Sequence, residues 1–311
     1  MTSTLVADVL EALDKLAGGI HPGFRPVHAR GTMYSGSFTP SPEAGKLTRA
    51  PHATRPSTPV TVRFSVSAGI PSVADNDPTG ASPQGMAVRF HLADHVHTDI
   101  IANSLNAFPA RTGEEFLEFL RAAGASGPGG PTPPPIVAFM AAHPAAKAFV
   151  ETPKPIPTSY ARQAYFAITA FKFTNAAGQS RFGRFRLRPQ AGTEFLTSEQ
   201  AQKKTADFLT AELSERLERG PVRFSVMVQL AEAGDNVTDS TALWPETRPE
   251  AEFGNLAITE RVDELAPERR KIIFDPLPRV DGIDSAGDPL TAVRSDIYLL
   301  SGRRRRAAAA Q

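Results

Sequence analysis

Between Val60 and Asn103 three strand-like segments follow one another with no helix between them, and this succession constrains the fold more than any other feature of the chain. "VTVRFSV" (60–66) alternates, with Arg63 on the face opposite Val62 and Phe64, the period-two signature of a strand. "QGMAVRFHL" (84–92) and "HTDIIAN" (97–103) follow as further strands. Strands joined without crossover helices pair antiparallel, because a parallel connection needs a long crossover. Next come "QAYFAITAFKFTN" and "RFGRFRLRP" across a turn at Gly178, reading as a hairpin, and then "PVRFSVMVQLA" and "FGNLAITE". Helical segments cluster in insertions. "GEEFLEFLRAAGA" opens with Thr112 as N-cap and Glu115 at the third helical position. "IVAFMAAHPAAKAFV" is kinked or broken at Pro144. "TSEQAQKKTADFLTAELSERLERG" reads as one long helix stopped by Gly220. The N-terminus has Leu5, Val9, Leu10, Leu13 and Leu16 near helical spacing, with acidic residues between them, so it reads as an amphipathic helix and not as a signal or membrane span. The expected class is α+β: an antiparallel β-barrel core with helical insertions, one domain over 1–311. Its parts are an N-terminal helical segment (1–22), the barrel with its insertions (23–260) and a last segment ending in a helix (261–311).

Charge and composition exclude several functions. The 34 Lys and Arg nearly cancel 33 Asp and Glu, so no overall field recruits nucleic acid or an anionic membrane. Cysteine is absent, which removes disulfides, thiolate metal sites and cysteine nucleophiles together. Nucleotide-binding, zinc-protease and serine-hydrolase motifs are missing. In "HVHTD", His95, His97 and Asp99 would share one strand face, as metal ligands could, although the same spacing describes an ordinary solvent-facing strand end. A cytoplasmic protein is the expectation. Near the end stands "RSDIYLLSGRRRR" (294–306). At about 100° per residue, Arg294, Tyr298 and Arg305 fall on one helical stripe. That stripe reads either as an amphipathic helix with a basic, solvated end, or as a phenolate held ionised by one arginine with another clamping an acid beside it.

In order along the chain stand "RPVHARG", "VRFS", "DIIAN", "NAFPARTGEEF", "DSTALWP" and "RSDIY". Each piece alone is weak. Together and in this order, over roughly Gly23 to Arg306, they resemble the haem catalase superfamily, and more closely its short members, the catalase-related peroxidases. The resemblance implies haem b as cofactor. His28 matches the distal histidine, Ser65 the serine bonded to that imidazole, and Asn103 the asparagine that orients peroxide. Phe108 and Phe116 match aromatic residues lining the distal side and its approach. Tyr298 matches the axial iron ligand and Arg294 the arginine bonded to its oxygen, which makes 261–311 the proximal haem-binding segment. Arg25, Arg63 and Arg305 match the arginines that pair with the propionates, and Asp288 an acidic residue six positions before Arg294. The chemistry suits these residue types. A tyrosine on ferric iron beside arginine stays a phenolate, arginine cannot surrender its own charge, and a neutral imidazole can move a proton between the two peroxide oxygens.

The implied activity is a haem-dependent peroxidase of the oxidative stress response. It would reduce hydrogen peroxide or an organic hydroperoxide while oxidising a small organic electron donor, with weak catalase activity at most. No nucleic-acid or membrane partner is expected, and a homodimer is left open. The chain ends soon after Tyr298 and begins shortly before His28, so the helical domain and threading arm of large catalases are expected to be missing, leaving the haem more reachable. "TMYSG" replaces the small residues usual after the distal segment, where Met33 and Tyr34 either reshape the pocket or pack against neighbours. Two alternatives stand: a non-catalytic haem carrier or sensor, and an allene oxide synthase-like enzyme. The latter branch carries threonine where this chain has Val27 before His28.

Overall fold

The computed structural model describes residues 4–308. In chain order it contains α1 (Thr4–Leu16), β1 (Gly31–Pro40), α2 (Ala44–Leu47), α3 (Pro51–Thr54), β2 (Thr58–Ser65), β3 (Gly85–Ala93), β4 (Val96–Asn103), α4 (Gly113–Ala125), α5 (Pro135–Ala142) and α6 (Pro144–Glu151). There follow β5 (Tyr165–Phe166), β6 (Phe171–Thr174), β7 (Ser180–Pro189), α7 (Ser198–Gln202), α8 (Phe208–Arg219), β8 (Val222–Leu230), β9 (Glu250–Val262), α9 (Pro267–Arg270), β10 (Ile283–Ser285) and α10 (Pro289–Ala308).

Every strand pairing is antiparallel, and the pairings close on themselves: β1 to β2, β3, β4, β5, β7, β8, β9 and back to β1. The result is an eight-stranded barrel with helices, as expected. β6 continues along β7 beyond β5, and β10 adds to it. The period-two alternation sends Val62 and Phe64 inward, where they join Tyr34, Phe38, Phe90, Phe224 and Phe253 in one core. Phe38 meets Phe90 edge-on at 5.2 Å and Phe64 stacks on Tyr160 at 5.0 Å. His52 sits among these rings, and burial pushes its pKa down to about 3, so it is a neutral core group. A second cluster joins α1, α4 and α10 through Val6, Val9, Leu10, Leu13, Leu117, Leu120 and Ile297.

Three details differ from the sequence reading. β1 was not among the expected strands, because "GTMYSGSFTP" is rich in small and polar residues. Its Gly36 explains the composition. A Cβ there would stand 2.1 Å from the Ala257 carbonyl oxygen, so β1 meets β9 this closely only without a side chain. The expected long helix is two, α7 and α8. Asn76 Nδ2 donates to the carbonyls of Ala201 and Lys204, and Asp75 accepts from Leu209 N, so a distant loop takes up the hydrogen bonds that a continuous helix would have made. Leu16, expected on the apolar stripe of α1, is 42% exposed at the helix end. Met33 and Tyr34 pack: both are fully buried, and neither lines the cavity described below.

The N-terminus of α10 is anchored from the barrel. Asp288 Oδ1 accepts from Leu290 N at 2.9 Å, and Ser240 donates its hydroxyl to the other carboxylate oxygen. Ser240 belongs to "DSTALWP", which Arg184 of β7 grips by donating to the carbonyls of Asp239 and Ala242 while its Cζ lies 4.3 Å from the Trp244 ring centre. Asp288 is therefore a buried helix cap that helps fix where the residues of α10 stand.

Candidate active site

Strand register builds the floor of the site. Ser65 pairs with Gly85 and Gly85 with Asn103, which sets these three residues in one row across β2, β3 and β4. Two residues along, on the same face, Arg63, Ala87 and Ile101 form the next row. Small residues in the middle strand keep this outer face of the barrel flat. Both rows line a cavity whose other walls are the 25–28 loop, Phe108, Phe116 of α4, Ile273 and Phe274, and α10.

His28 occupies the seat above Gly85. A Cβ at residue 85 would come within 3.0 Å of the imidazole and 2.8 Å of Ser65 Oγ, so the histidine lies where a side chain is missing. Its Nδ1 is 3.1 Å from Ser65 Oγ. Its backbone has φ 55°, the left-handed region that a non-glycine residue avoids at a cost of about 1 kcal/mol or more. Backbone bonds from His28 N to Ser67 O and from Ala29 N to Ala68 O, each 3.0 Å, hold it there. Burial first, then the Arg63 and Arg25 charges, push the imidazole pKa down to about 4, so it is neutral near pH 7. In the same row, Asn103 Oδ1 accepts from Leu105 N at 2.7 Å, which fixes the amide and leaves its NH2 group as a donor.

Across the cavity, α10 presents Arg294, Tyr298, Ser301 and Arg305, nearly every turn of one face. Arg294 Nε and Nη2 lie 3.4 and 3.3 Å from the Tyr298 hydroxyl oxygen, and Nη1 donates to Thr169 Oγ1 at 3.4 Å. Thr169 in turn lies 3.1 Å from the Thr291 hydroxyl, one turn before Arg294. The guanidinium fork is thus braced on both sides of the phenol. Phe108 and Phe116 lie 5.3 Å apart, and the Phe108 ring centre is 5.9 Å from Arg294 Cζ, so Phe108 reaches the α10 side as well as flanking His28 in the lining.

At one end the cavity is strongly basic. Arg25, Arg63 and Arg305 meet there, and burial together with the neighbouring Arg63 and Arg305 charges weighs against the charge on Arg25. The counter-charge is not among the residues that the sequence singles out. Glu264 Oε1 accepts from Arg25 Nη1 at 2.9 Å and from Arg63 Nε at 2.7 Å. Burial opposes the Glu264 charge, but Arg63 and Arg25 outweigh it and hold its carboxyl below the usual range. One carboxylate does not satisfy three guanidiniums: Arg25 Nη2 and Arg305 Nε are buried without a hydrogen-bond partner. A porphyrin fits this set of donors. Its propionates would meet the unsatisfied arginine nitrogens, its ring would lie against Val27, Ile101, Ile168, Phe274 and Ile297, and its two faces would see an imidazole and an arginine-bonded phenol.

All ten sequence-derived site residues line this one cavity: Arg25, His28, Arg63, Ser65, Asn103, Phe108, Phe116, Arg294, Tyr298 and Arg305. Other candidates lie elsewhere. Asp99 is bound by Arg89 through 2.8 and 2.7 Å bonds, His95 is an exposed turn residue, and no cluster of three metal-ligating side chains occurs among the described residues. Of the remaining terminal arginines, Arg303 is exposed, Arg304 pairs with Asp14 of α1 at 2.7 Å and Arg306 bonds the Lys271 carbonyl, so they fasten or flank α10. No helix of the described residues is long and apolar enough to cross a membrane.

A barrel flanked by an apolar cavity with three buried arginines at one end suits a flat, anionic cofactor. A family model described as Catalase matches residues 22–311, and the chain belongs to that haem-dependent family. It is 35% identical over 296 residues to the catalase-related peroxidase of Mycolicibacterium paratuberculosis, covering 94% of this chain and 92% of that one. The catalase-related peroxidase of Synechococcus elongatus is 33% identical over 291 residues, with 92% and 85% covered. Among solved structures a bacterial catalase shares the fold at TM-score 0.78 and 23% identity, over 91% of this chain and 57% of that chain.

Proposed function

We propose that the protein is a peroxidase that carries haem b in this cavity and reduces hydrogen peroxide or a small organic hydroperoxide at the expense of an organic electron donor. One observation carries the reading: a buried imidazole, neutral and oriented by Ser65, stands in the same cavity as a phenol held by an arginine fork. The haem, when bound, would supply the redox chemistry, and Tyr298 would hold its iron. The chain's own residues handle protons and position. With Nδ1 engaged by Ser65, His28 Nε2 is the nitrogen available to take the proton of the hydroperoxide and return it to the departing oxygen. The Asn103 amide, fixed through its Oδ1 by Leu105 N, would donate to that oxygen and hold it in reach. Arg294 donates to the Tyr298 oxygen and holds it in place, and Arg25, Arg63 and Arg305 would pair with the propionates.

The proton relay needs neutral His28. Burial, the first cause of the low His28 pKa, persists when the propionates offset the Arg63 and Arg25 charges, so peroxide consumption by the haem-loaded protein is expected to stay level from about pH 8 through 6.5 and to fall only in more acid solution, where the buried imidazole gains its proton. A fall centred near 6.5, the value of a free imidazole, would contradict the assignment. Oxidation of an organic dye should accompany that consumption, and oxygen evolution at ordinary catalase rates on the same sample would refute the donor reading.

Glu264 competes with the propionates for Arg25 and Arg63. Glu264→Gln is expected to raise haem affinity about tenfold, because both forks are freed for the cofactor. The same change should lower the stability of the haem-free protein by about 3 kcal/mol, since it leaves two buried guanidiniums without their carboxylate. Haem titration and thermal melts of the haem-free variant check the two signs; equal affinity would remove Glu264 from the account.

A further inference from the structure

On the far side of Glu264 lies a second cavity, walled by the 23–25 and 29–32 segments, Pro71, the end of β9 and the chain from 263 to 270. Its lining is cationic: Arg25, Arg30, Arg261, Arg269, Arg270 and Arg305 against Asp263 and Glu264 among the described residues. Some of that charge is locally balanced. Arg30 pairs with the buried Asp75 at 3.4 Å, and Arg25 with Glu264. The guanidinium groups of Arg261 and Arg270 have no hydrogen-bond or carboxylate partner among the described residues. Beside them stand apolar side chains that folding has not covered, Phe24 at 46% and Leu265 at 65% exposure. Two unpartnered guanidiniums and an open aromatic face in one basin suit a planar ligand with a negative charge, which the guanidiniums bind while the ring stacks.

The position adds a second argument. Arg25 and Arg305 line both cavities, so a ligand in the outer basin lies one guanidinium away from the arginine end of the inner one. An electron donor needs to approach the cofactor's edge, not its iron. A neutral hydroperoxide gains nothing from the basin's charge, whereas an anionic donor is drawn to it.

Resting on the peroxidase reading, we propose that this outer basin binds the electron donor, and that the donor is a phenol bearing a carboxylate. Its carboxylate sits on Arg261 and Arg270 and its ring lies against Phe24. Each phenol gives up one electron and its hydroxyl proton. Two of them reduce one hydroperoxide, ROOH + 2 ArOH → ROH + H2O + 2 ArO•, in which the O–O bond breaks and both oxygens leave protonated.

Ferulate and methyl ferulate carry the same phenol and differ by one negative charge. On the haem-loaded, full-length protein at low ionic strength, kcat/KM is expected to favour ferulate by about tenfold. The Arg261→Gln/Arg270→Gln double variant should erase that preference while leaving the ester's rate, the haem spectrum and the peroxide step unchanged. Calorimetry without peroxide should find ferulate bound to the wild type and bound about tenfold more weakly by the double variant. Equal kcat/KM for acid and ester, or a preference that survives the double substitution, overturns the proposal. Should neither phenol be oxidised, the peroxidase reading fails and calorimetry decides the basin alone: ferulate binding that depends on the two arginines upholds it, and no binding overturns it.

Discussion

His28→Leu is expected to slow the reaction with peroxide by about a thousandfold while the protein still takes up haem, in the range that loss of a positioned acid-base group produces. Leucine roughly fills the seat above Gly85 but carries no nitrogen, so proton transfer between the two peroxide oxygens is left to water. The rest of the cavity keeps its partners: Asn103 stays fixed by Leu105 N, and Arg294 by Thr169. Ser65 Oγ and the Val66 backbone lose the imidazole as a partner, a cost of about 1–2 kcal/mol. Rapid-mixing absorption on the haem-loaded variant, alongside its haem affinity, separates the two effects. A peroxide rate within tenfold of wild type would remove His28 from the chemistry.

The second large effect is expected from Arg294→Leu. Arg294 is 8% exposed and holds the Tyr298 oxygen through two nitrogens. Bonds to a charged partner contribute about 1.5–3 kcal/mol each when well formed, and at 3.3–3.4 Å these two are long, so their combined worth is nearer one such bond. Haem affinity should therefore fall about thirtyfold. Arg294→Lys is expected to recover little of it, because an ammonium is a point charge and cannot brace the phenol oxygen and Thr169 together. Haem transfer to an acceptor apoprotein measures the loss directly, and an unchanged transfer rate in both variants would show that Tyr298 needs no cationic partner.

Much of this architecture can be read from the chain because its signals are local. The alternation in "VTVRFSV" already assigns Phe64 to the core and Arg63 and Ser65 to the other face. Thr112 caps α4 as its spacing to Glu115 predicts, accepting from Glu115 N at 3.2 Å. The stripe of Arg294, Tyr298 and Arg305 follows from helical periodicity alone. What escaped depends on partners distant in sequence. Gly85 looks like any strand glycine until register sets it between Ser65 and Asn103. Glu264, within "ERVDELAPERR", resembles a solvated charge run, and only the fold carries it to Arg25 and Arg63. Asp288 drew notice for its spacing from Arg294, but its capping role needs Ser240 from a remote loop. The break between α7 and α8 has the same origin, since Asp75 and Asn76 lie far from the helix they interrupt.

On the proposed reading the phenol oxygen on α10 would hold the iron of a haem, with His28 on the opposite side of the cavity. Resonance Raman spectroscopy of the haem-loaded protein, with Tyr298→Phe as its control, tests it most directly. Phenolate ring vibrations are expected to be enhanced in the wild type and absent from the variant, with one haem per chain. Spectra that are the same for the two proteins would place the ligand elsewhere and contradict it.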